Sequence, residues 1–417
     1  MKPSSIEKKE ATTKMTNCCF NSRIWTIFVF SLVYNSVAVT AVSADETEYK
    51  YDNFAIAGYL PDYRINYFMD EQLGTNRRKD KVTGDDNKSP SSSSMTDLIL
   101  FSLQPHSKGF FGCCLQDDHY DLVEKFVANS NNNYTSSSSI RRVWVTVGGG
   151  GRSGAFPEIC AKKELRNRLI RSILNLSVKY PFIKGIDLDF FNPTTIQERD
   201  NYILFLNEAI PQLHKEGIKV SLTLHPHQGR LIPPTVYQLL DRIHLMAYDM
   251  IGSSDGSSSS SVSNYHASLD KVRQTIEELL QLNIGLKKTP QKILLGIPAY
   301  CRHNRDPSQV KTFGEIYDEI RIDNNNNPNE EKTKFLLGDI HSSMYSWKGY
   351  EWDSPSRIQA KIDLAKENNL GGIFFWEIGQ DKFTDEHPNG VLFDTAATAV
   401  SSSHAEKAYD DKIMSEL

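Results

Sequence analysis

A basic excess is missing from this chain. Its 417 residues carry 47 Lys and Arg against 52 Asp and Glu, a formal charge of −5. Residues 1–44 hold Lys2, Lys8, Lys9, Lys14 and Arg23 against Glu7 and Glu10, a net of +3, which leaves −8 for the remainder. A body this acidic lacks the clustered Lys and Arg that a phosphate backbone needs, and nucleic acid is excluded as a partner. Cysteine is scarce, at six, and none has the paired spacing of a zinc site, so neither a metal nor another cofactor is expected. Long apolar runs are absent after residue 44, and nothing there is long enough to cross a bilayer. What remains is 39% hydrophobic and 24% charged, an ordinary globular composition that excludes fibrous and wholly disordered chains.

The N-terminus reads as an address. A basic stretch closes at Arg23, an almost uncharged run extends from Ile24 to Val42, and Val42-Ser43-Ala44 precedes Asp45 and Glu46. Small residues before an acidic junction suit signal-peptidase cleavage, so residues 1–44 are read as a secretory signal. An uncleaved anchor is the alternative, because the run is close to the spanning minimum. Secretion leaves Cys113, Cys114, Cys160 and Cys301, and one bridge is expected between Cys160 and either Cys113 or Cys114. Sequons stand at Asn87, Asn133 and Asn175, while Pro193 disqualifies Asn192. With the signal removed, no membrane partner is expected, and a monomer is the simplest state.

Eight short apolar runs organise the body: Phe54–Leu60, Leu98–Leu103, Val143–Val147, Ile183–Phe190, Ile218–Leu224, Ile243–Tyr248, Ile293–Ile297 and Ile373–Trp376. The fuller ones lack strict alternation, as strands buried on both faces do. Helical patterns lie between them, such as Leu165, Leu169, Ile173 and Leu176. Eight strand–helix units imply an α/β fold, a (β/α)₈ TIM barrel over residues 50–397, with a polar tail at 398–417. An open doubly wound sheet is the rival. Ser and Asn homopolymer tracts fall between the elements and read as surface loops. The long connection from Arg302 to Trp352 has room for a small helical excursion near Phe313–Ile320, but not for a large insertion domain.

Ligands of such barrels meet the C-terminal ends of the strands. The fourth run reads Lys184-Gly185-Ile186-Asp187-Leu188-Asp189-Phe190-Phe191. Alternation puts Asp187, Asp189 and Phe191 on one side and Ile186, Leu188 and Phe190 on the other. Two inward carboxylates are costly to bury unless they are hydrogen-bonded or used in chemistry. A purely structural pair stays open at this point.

This run resembles the signature strand of glycoside hydrolase family 18, the chitinases and chitinase-like proteins, Asp-Gly-x-Asp-x-Asp-x-Glu. Gly58-Tyr59-Leu60-Pro61-Asp62-Tyr63-Arg64, Val145 to Gly150, Met246-Ala247-Tyr248-Asp249, Gly296 to Tyr300 and Gly371 to Glu377 are similar to the family's other strand motifs, in the same order. The resemblance covers Phe54 to Asp394. It implies a site for β-1,4-linked N-acetylglucosamine, cleaved in the family with the substrate's acetamido oxygen as nucleophile. It implies that Asp189 orients that acetamido group while Asp187 behind it shares a proton. Tyr248 would bond the acetamido carbonyl, Asp249 would support the sugar, Tyr59 would touch it at the rim, and Trp376 would floor the subsite by stacking.

Two positions depart from the motif. Phe191 stands where the family has its general acid, and Lys184 stands at the first acidic position. A phenyl ring cannot move a proton, and general acid catalysis is worth about 10²–10⁴-fold. Glu198 and Asp200 lie beyond Pro193, and Glu377 should face away from Trp376's side, so no neighbouring carboxyl replaces it. The implied protein is a secreted binder of chito-oligosaccharides or other N-acetylglucosamine glycans, without hydrolysis and with Phe191 as a stacking surface. An active glycosidase with a displaced acid, and a protein-binding module or inhibitor on the same scaffold, are the alternatives. A decayed site or an error in the chain is the competing explanation of Phe191, and the retained Asp187, Asp189, Tyr248, Asp249 and Trp376 favour the groove. His225 and His227, at the end of the fifth run, either line the groove or are structural.

Overall fold

The structure, a computed structural model, describes residues 54–73, 95–132, 140–190, 193–251, 265–326 and 344–401. All belong to the unit Tyr49–Leu417; the signal segment, Asn87, Asn133 and Phe191 lie outside the described residues.

Each of the eight apolar runs forms a strand: β1 Ala55–Pro61, β2 Asp97–His106, β3 Arg142–Gly148, β4 Ile183–Asp189, β5 Lys219–Leu224, β6 Arg242–Leu245, β7 Ile293–Pro298 and β8 Gly372–Trp376. They pair in parallel, in sequence order, and β1 closes the ring by pairing with β8 (Ala55↔Gly372) and with β2 (Ala57↔Asp97). This is a (β/α)₈ barrel, and its closure excludes the open sheet. Near-continuous burial along the strands explains their unalternating runs: one face meets the barrel interior, the other the helices. Ala57, Tyr59, Ile99, Phe101, Trp144, Leu294 and Phe374 fill the interior, whereas Leu60, Leu100, Val145, Leu188 and Leu222 face the helical layer.

The helices include α1 Ile65–Leu73, α2 Asp117–Asn132, α3 Phe156–Ala161, α4 Lys163–Lys179, α5 Ile196–Lys215, α6 Pro234–Leu239, α7 Leu269–Leu282, α8 Ile284–Lys288, α9 Phe313–Asn326 and α10 Pro355–Glu367. Local signals set their starts. At α5, Thr195 accepts the Glu198 N–H at 3.1 Å while Glu198 accepts the Thr194 N–H at 2.7 Å. None of the described helices is long and apolar enough to cross a membrane.

Two expectations need correction. The Arg302–Trp352 connection holds more than a helical excursion. Strands Tyr300–His303, Val310–Thr312, Ser346–Trp347 and Tyr350–Glu351 form a small antiparallel sheet beside α9. The expected Cys160 bridge is absent. Cys113 bonds its neighbour Cys114 at the exposed end of a hairpin strand, Phe110–Cys113, that folds back on β2. Cys160 is free because α3 holds it in the core, fully buried, and burial pushes its thiol pKa up.

Candidate functional site

Strand register assembles the site before any side chain is considered. Thr146 of β3 and Ser221 of β5 flank Asp187 of β4, and Thr223 of β5 stands beside His244 of β6. All point into the barrel. Asp187 is fully buried and accepts hydrogen bonds from Ser221 Oγ at 2.7 Å, Thr146 Oγ1 at 2.9 Å, Thr223 Oγ1 at 2.9 Å and the Tyr59 hydroxyl at 3.0 Å. His244 Nδ1 lies 2.6 Å from that hydroxyl and 3.4 Å from Asp187 Oδ1. Burial opposes the Asp187 charge, but His244 and the hydroxyl donors outweigh it and hold the carboxyl below its usual range.

Asp189, one inward position higher, has the opposite setting. It is 5% exposed, and no side-chain hydrogen bond reaches its carboxyl among the described residues. Burial, and then the charge of Asp187, push its pKa well up. The two settings therefore pull in opposite directions: Asp187's favours the charged carboxylate and Asp189's favours the protonated acid. The chain passes tightly here. Gly148 and Gly149, both at φ +100°, close β3, and a side chain at either would collide with the Asp189 carbonyl or the Phe101 ring.

Above the pair, Tyr248 is 4% exposed and its buried hydroxyl has no hydrogen-bond partner among the described residues. Asp249 adopts φ +57° and accepts from the Tyr300 hydroxyl at 2.5 Å and from Arg302 Nε at 2.8 Å. Its backbone N–H donates to His266 Nδ1 at 3.0 Å. Burial opposes the Asp249 charge, but His266, Arg302 and Tyr300 hold its carboxyl well below the usual range. Trp376, half-buried at the end of β8, leans on Phe101 and Tyr59 with ring centroids at 4.7 and 5.4 Å. Asp187, Asp189, Tyr248, Asp249 and Trp376 thus gather at one end of the barrel.

Tyr59 is not at the rim. It is 1% exposed, below the mouth, with its hydroxyl committed to Asp187, Thr223 and His244. β1 continues to Pro61, so Tyr59 falls inside the strand rather than at its end. Lys184 is remote from the mouth, exposed at the start of β4 and donating to the Pro181 carbonyl at 2.8 Å.

The other carboxyls are occupied. Glu377 turns away from Trp376, accepts the Gly379 N–H at 2.8 Å and lies 3.4 Å from Arg64. Burial, only partly offset by Arg64, pushes its pKa up to about 7. Glu198 caps α5, and Asp200 pairs with Arg199 at 2.6 Å. At the end of β5, His225 and His227 bring their Nδ1 atoms to 2.7 Å, and burial, then His227, hold the His225 pKa down to about 4. Among the described residues no group of three or more His, Cys, Asp or Glu is arranged to hold a metal ion.

Sequence reasoning missed Thr146, Ser221, Thr223 and His244. A signal existed: each is a polar residue inside an otherwise apolar strand run, at the parity of an inward position. Tyr300 closes the Gly296–Tyr300 motif without its role being legible there, and Arg302 and His266 gave no signal, because loops and the small sheet bring them to Asp249.

Comparison with known proteins agrees with this geometry. The family model for glycosyl hydrolases family 18 matches residues 36–381. A class V chitinase of Lotus japonicus is 26% identical over 275 residues, a match covering 57% of this chain and 66% of that protein, just under two thirds of its length. One from Medicago truncatula is 28% identical over 272 residues, covering 57% of this chain and 69% of that one. Among solved structures, a chitinase of the same family from Cycas revoluta in complex with (GlcNAc)₃ superposes with a TM-score of 0.59 at 20% identity, covering 83% of this chain and 99% of that one. The match to the family model spans all eight barrel strands and every strand-end motif, and the chain belongs to glycosyl hydrolase family 18.

Proposed function

We propose that this protein binds chito-oligosaccharides, or related N-acetylglucosamine glycans, across the barrel mouth without cleaving them, and that it does so as a secreted monomer after loss of residues 1–44. The observation that carries the reading is the Tyr248 hydroxyl, buried and without a partner among the described residues, beside Asp189, whose setting favours the protonated acid. An unpaired buried donor costs about 1–3 kcal/mol, and an acetamido group would satisfy both residues while its sugar stacks on Trp376. The Cycas revoluta relative was crystallised with such a trimer. Phe191 is the ground for proposing no cleavage, since the carboxyls of Glu198, Asp200 and Glu377 are already engaged elsewhere.

One preparation tests both halves, by calorimetry with an N-acetylglucosamine tetramer and by release of chromophore from a chito-oligosaccharide glycoside. Binding without release is expected. Release abolished by Asp189→Ala would establish the second reading, a glycosidase with a displaced acid, which the retained Asp187–Asp189 pair favours. No binding by the folded protein would sink the groove and favour a protein-binding module.

A further inference from the structure

The height of His225 in the barrel follows from register. β4 meets β5 through Asp187↔Ser221 and Leu188↔Leu222, which puts Thr223 at the level of Asp189. Ser221 and Thr223 point inward, since both hydroxyls donate to Asp187, while Leu222 and Leu224 join the outer core. His225 keeps an extended backbone, φ −73° and ψ 150°, so alternation turns it inward, one step beyond Thr223. Counted along the two strands, His225 corresponds to the motif position of the family's general acid, and it stands just past the end of β5, the strand that adjoins β4. The ring is half-buried and close enough to Asp249 to feel its charge. Gln228 fixes the turn by accepting the His225 N–H at 2.7 Å.

Two Nδ1 atoms 2.7 Å apart share one hydrogen. With His227 donating, His225 Nδ1 accepts and its hydrogen sits on Nε2. We propose that His225, held in this tautomer by His227, donates its Nε2–H to the bridging oxygen between two sugars bound across the mouth. This deepens the groove reading and rests on it. The low pKa of His225 keeps the ring neutral near pH 7. A neutral imidazole N–H makes a hydrogen bond there without surrendering its proton, so the linkage is recognised and left intact.

The test exploits a difference between ligands: an N-acetylglucosamine tetramer has bridging oxygens and the monomer has none. Calorimetry on the full chain should show His225→Ala weakening the tetramer about tenfold while monomer affinity stays within twofold. His225→Gln, which retains a side-chain N–H donor, should recover part of the loss. His227→Ala should weaken the tetramer by a smaller factor, because the tautomer is no longer fixed. Unchanged melting temperatures certify the fold. Equal losses for monomer and tetramer, or an unaltered tetramer affinity in folded His225→Ala, would overturn the proposal and leave the groove standing. Failure of the unmutated protein to bind the tetramer would overturn the groove reading and this proposal with it.

Discussion

Asp97 and Asp189 are both buried inside the same barrel, at opposite ends, and their surroundings differ in kind. Asp97 opens β2 and is 0% exposed. It accepts from Arg142 Nε at 2.6 Å, Trp144 Nε1 at 2.9 Å and Thr96 Oγ1 at 2.5 Å, with Arg242 Nη1 at 2.9 Å. Burial opposes its charge, but Arg242 and Arg142 prevail and hold the carboxyl well below its usual range. Asp189 closes β4 with no cation paired to it among the described residues, and burial, then the charge of Asp187, push its pKa well up. A carboxyl whose every lone pair is met within the protein closes one end of the barrel. A carboxyl whose charge is disfavoured, beside an unpartnered hydroxyl, leaves the other end ready for a ligand.

The largest test of that contrast is stability. Asp97→Ala leaves the buried Arg242 without its counter-charge, takes a partner from the partly exposed Arg142, and should cost about 3–5 kcal/mol. Asp189→Asn removes a carboxyl whose surroundings disfavour its charge and should change stability by less than about 1 kcal/mol. Urea denaturation of the two variants compares them directly. Similar losses for both would mean that the two ends are not different in kind.

Acidity should separate the ends next, because their signs are opposite. Asp97 has a depressed folded pKa, so its contribution is present above the ordinary Asp value and is lost as pH falls through the depressed one. Glu377 at the mouth end has a raised one, about 7. The folded state keeps a proton that the unfolded chain releases near pH ~4.3, so stability falls as pH rises from there to about 7. Glu377→Gln should flatten that window by on the order of 3 kcal/mol. Asp381, also raised to about 7, acts with the same sign, so the informative quantity is the difference between variant and parent in melts at pH 5 and pH 8. A difference that does not change with pH would refute the buried, protonated state of Glu377.

What was legible in the sequence divides along the same axis. Eight strands could be read because burial on both faces leaves a continuous apolar run, whichever end of the barrel a residue occupies. Asp187 and Asp189 could be read because carboxylates inside such a run need a reason. The depth of Tyr59 could not: the same Gly-Tyr-Leu-Pro string fits a strand end or a strand interior, and closure against β2 and β8 makes the choice. The small sheet was equally hidden. Its strands Ser346–Trp347 and Tyr350–Glu351 are two residues long, and pairings such as Tyr350↔His303 join distant segments. The Cys113–Cys114 bridge escaped because adjacent loops were expected to bring Cys160 near, while α3 packs it inward.

Affinity ranks the mouth residues. Trp376→Ala removes the stacking floor and should weaken a chito-oligosaccharide by about 2 kcal/mol or more. Tyr248→Phe removes one donor and should weaken it by about 1 kcal/mol, without loss of stability, because the hydroxyl has no protein partner to lose. Titration and thermal melting of both variants check the pair. A Tyr248→Phe protein that melts markedly lower would show that the hydroxyl was structural, making the mouth resemble the Asp97 end.

The smallest effect is expected where the motif departs most visibly. Phe191→Glu puts a carboxyl back at the sequence position of the family's acid, yet it should restore little or no hydrolysis. Lys184 is not the obstacle, since its side chain faces solvent at the far end of β4. The obstacle is geometry. An introduced acid must hold its proton and meet the leaving oxygen, and misplacement by about 1 Å can cost 10²-fold. A phenyl ring needs no hydrogen bonds to hold it, and a carboxyl does: Asp187 is fixed by four hydroxyls and a histidine. Chromophore release from a chito-oligosaccharide glycoside, with Asp189→Ala in both backgrounds as control, measures the outcome. Vigorous turnover by Phe191→Glu that Asp189→Ala abolishes would show that the mouth is still organised for catalysis and lacks only its acid. Vigorous turnover by the unmutated protein, abolished in the same way, would show that another group already supplies the proton.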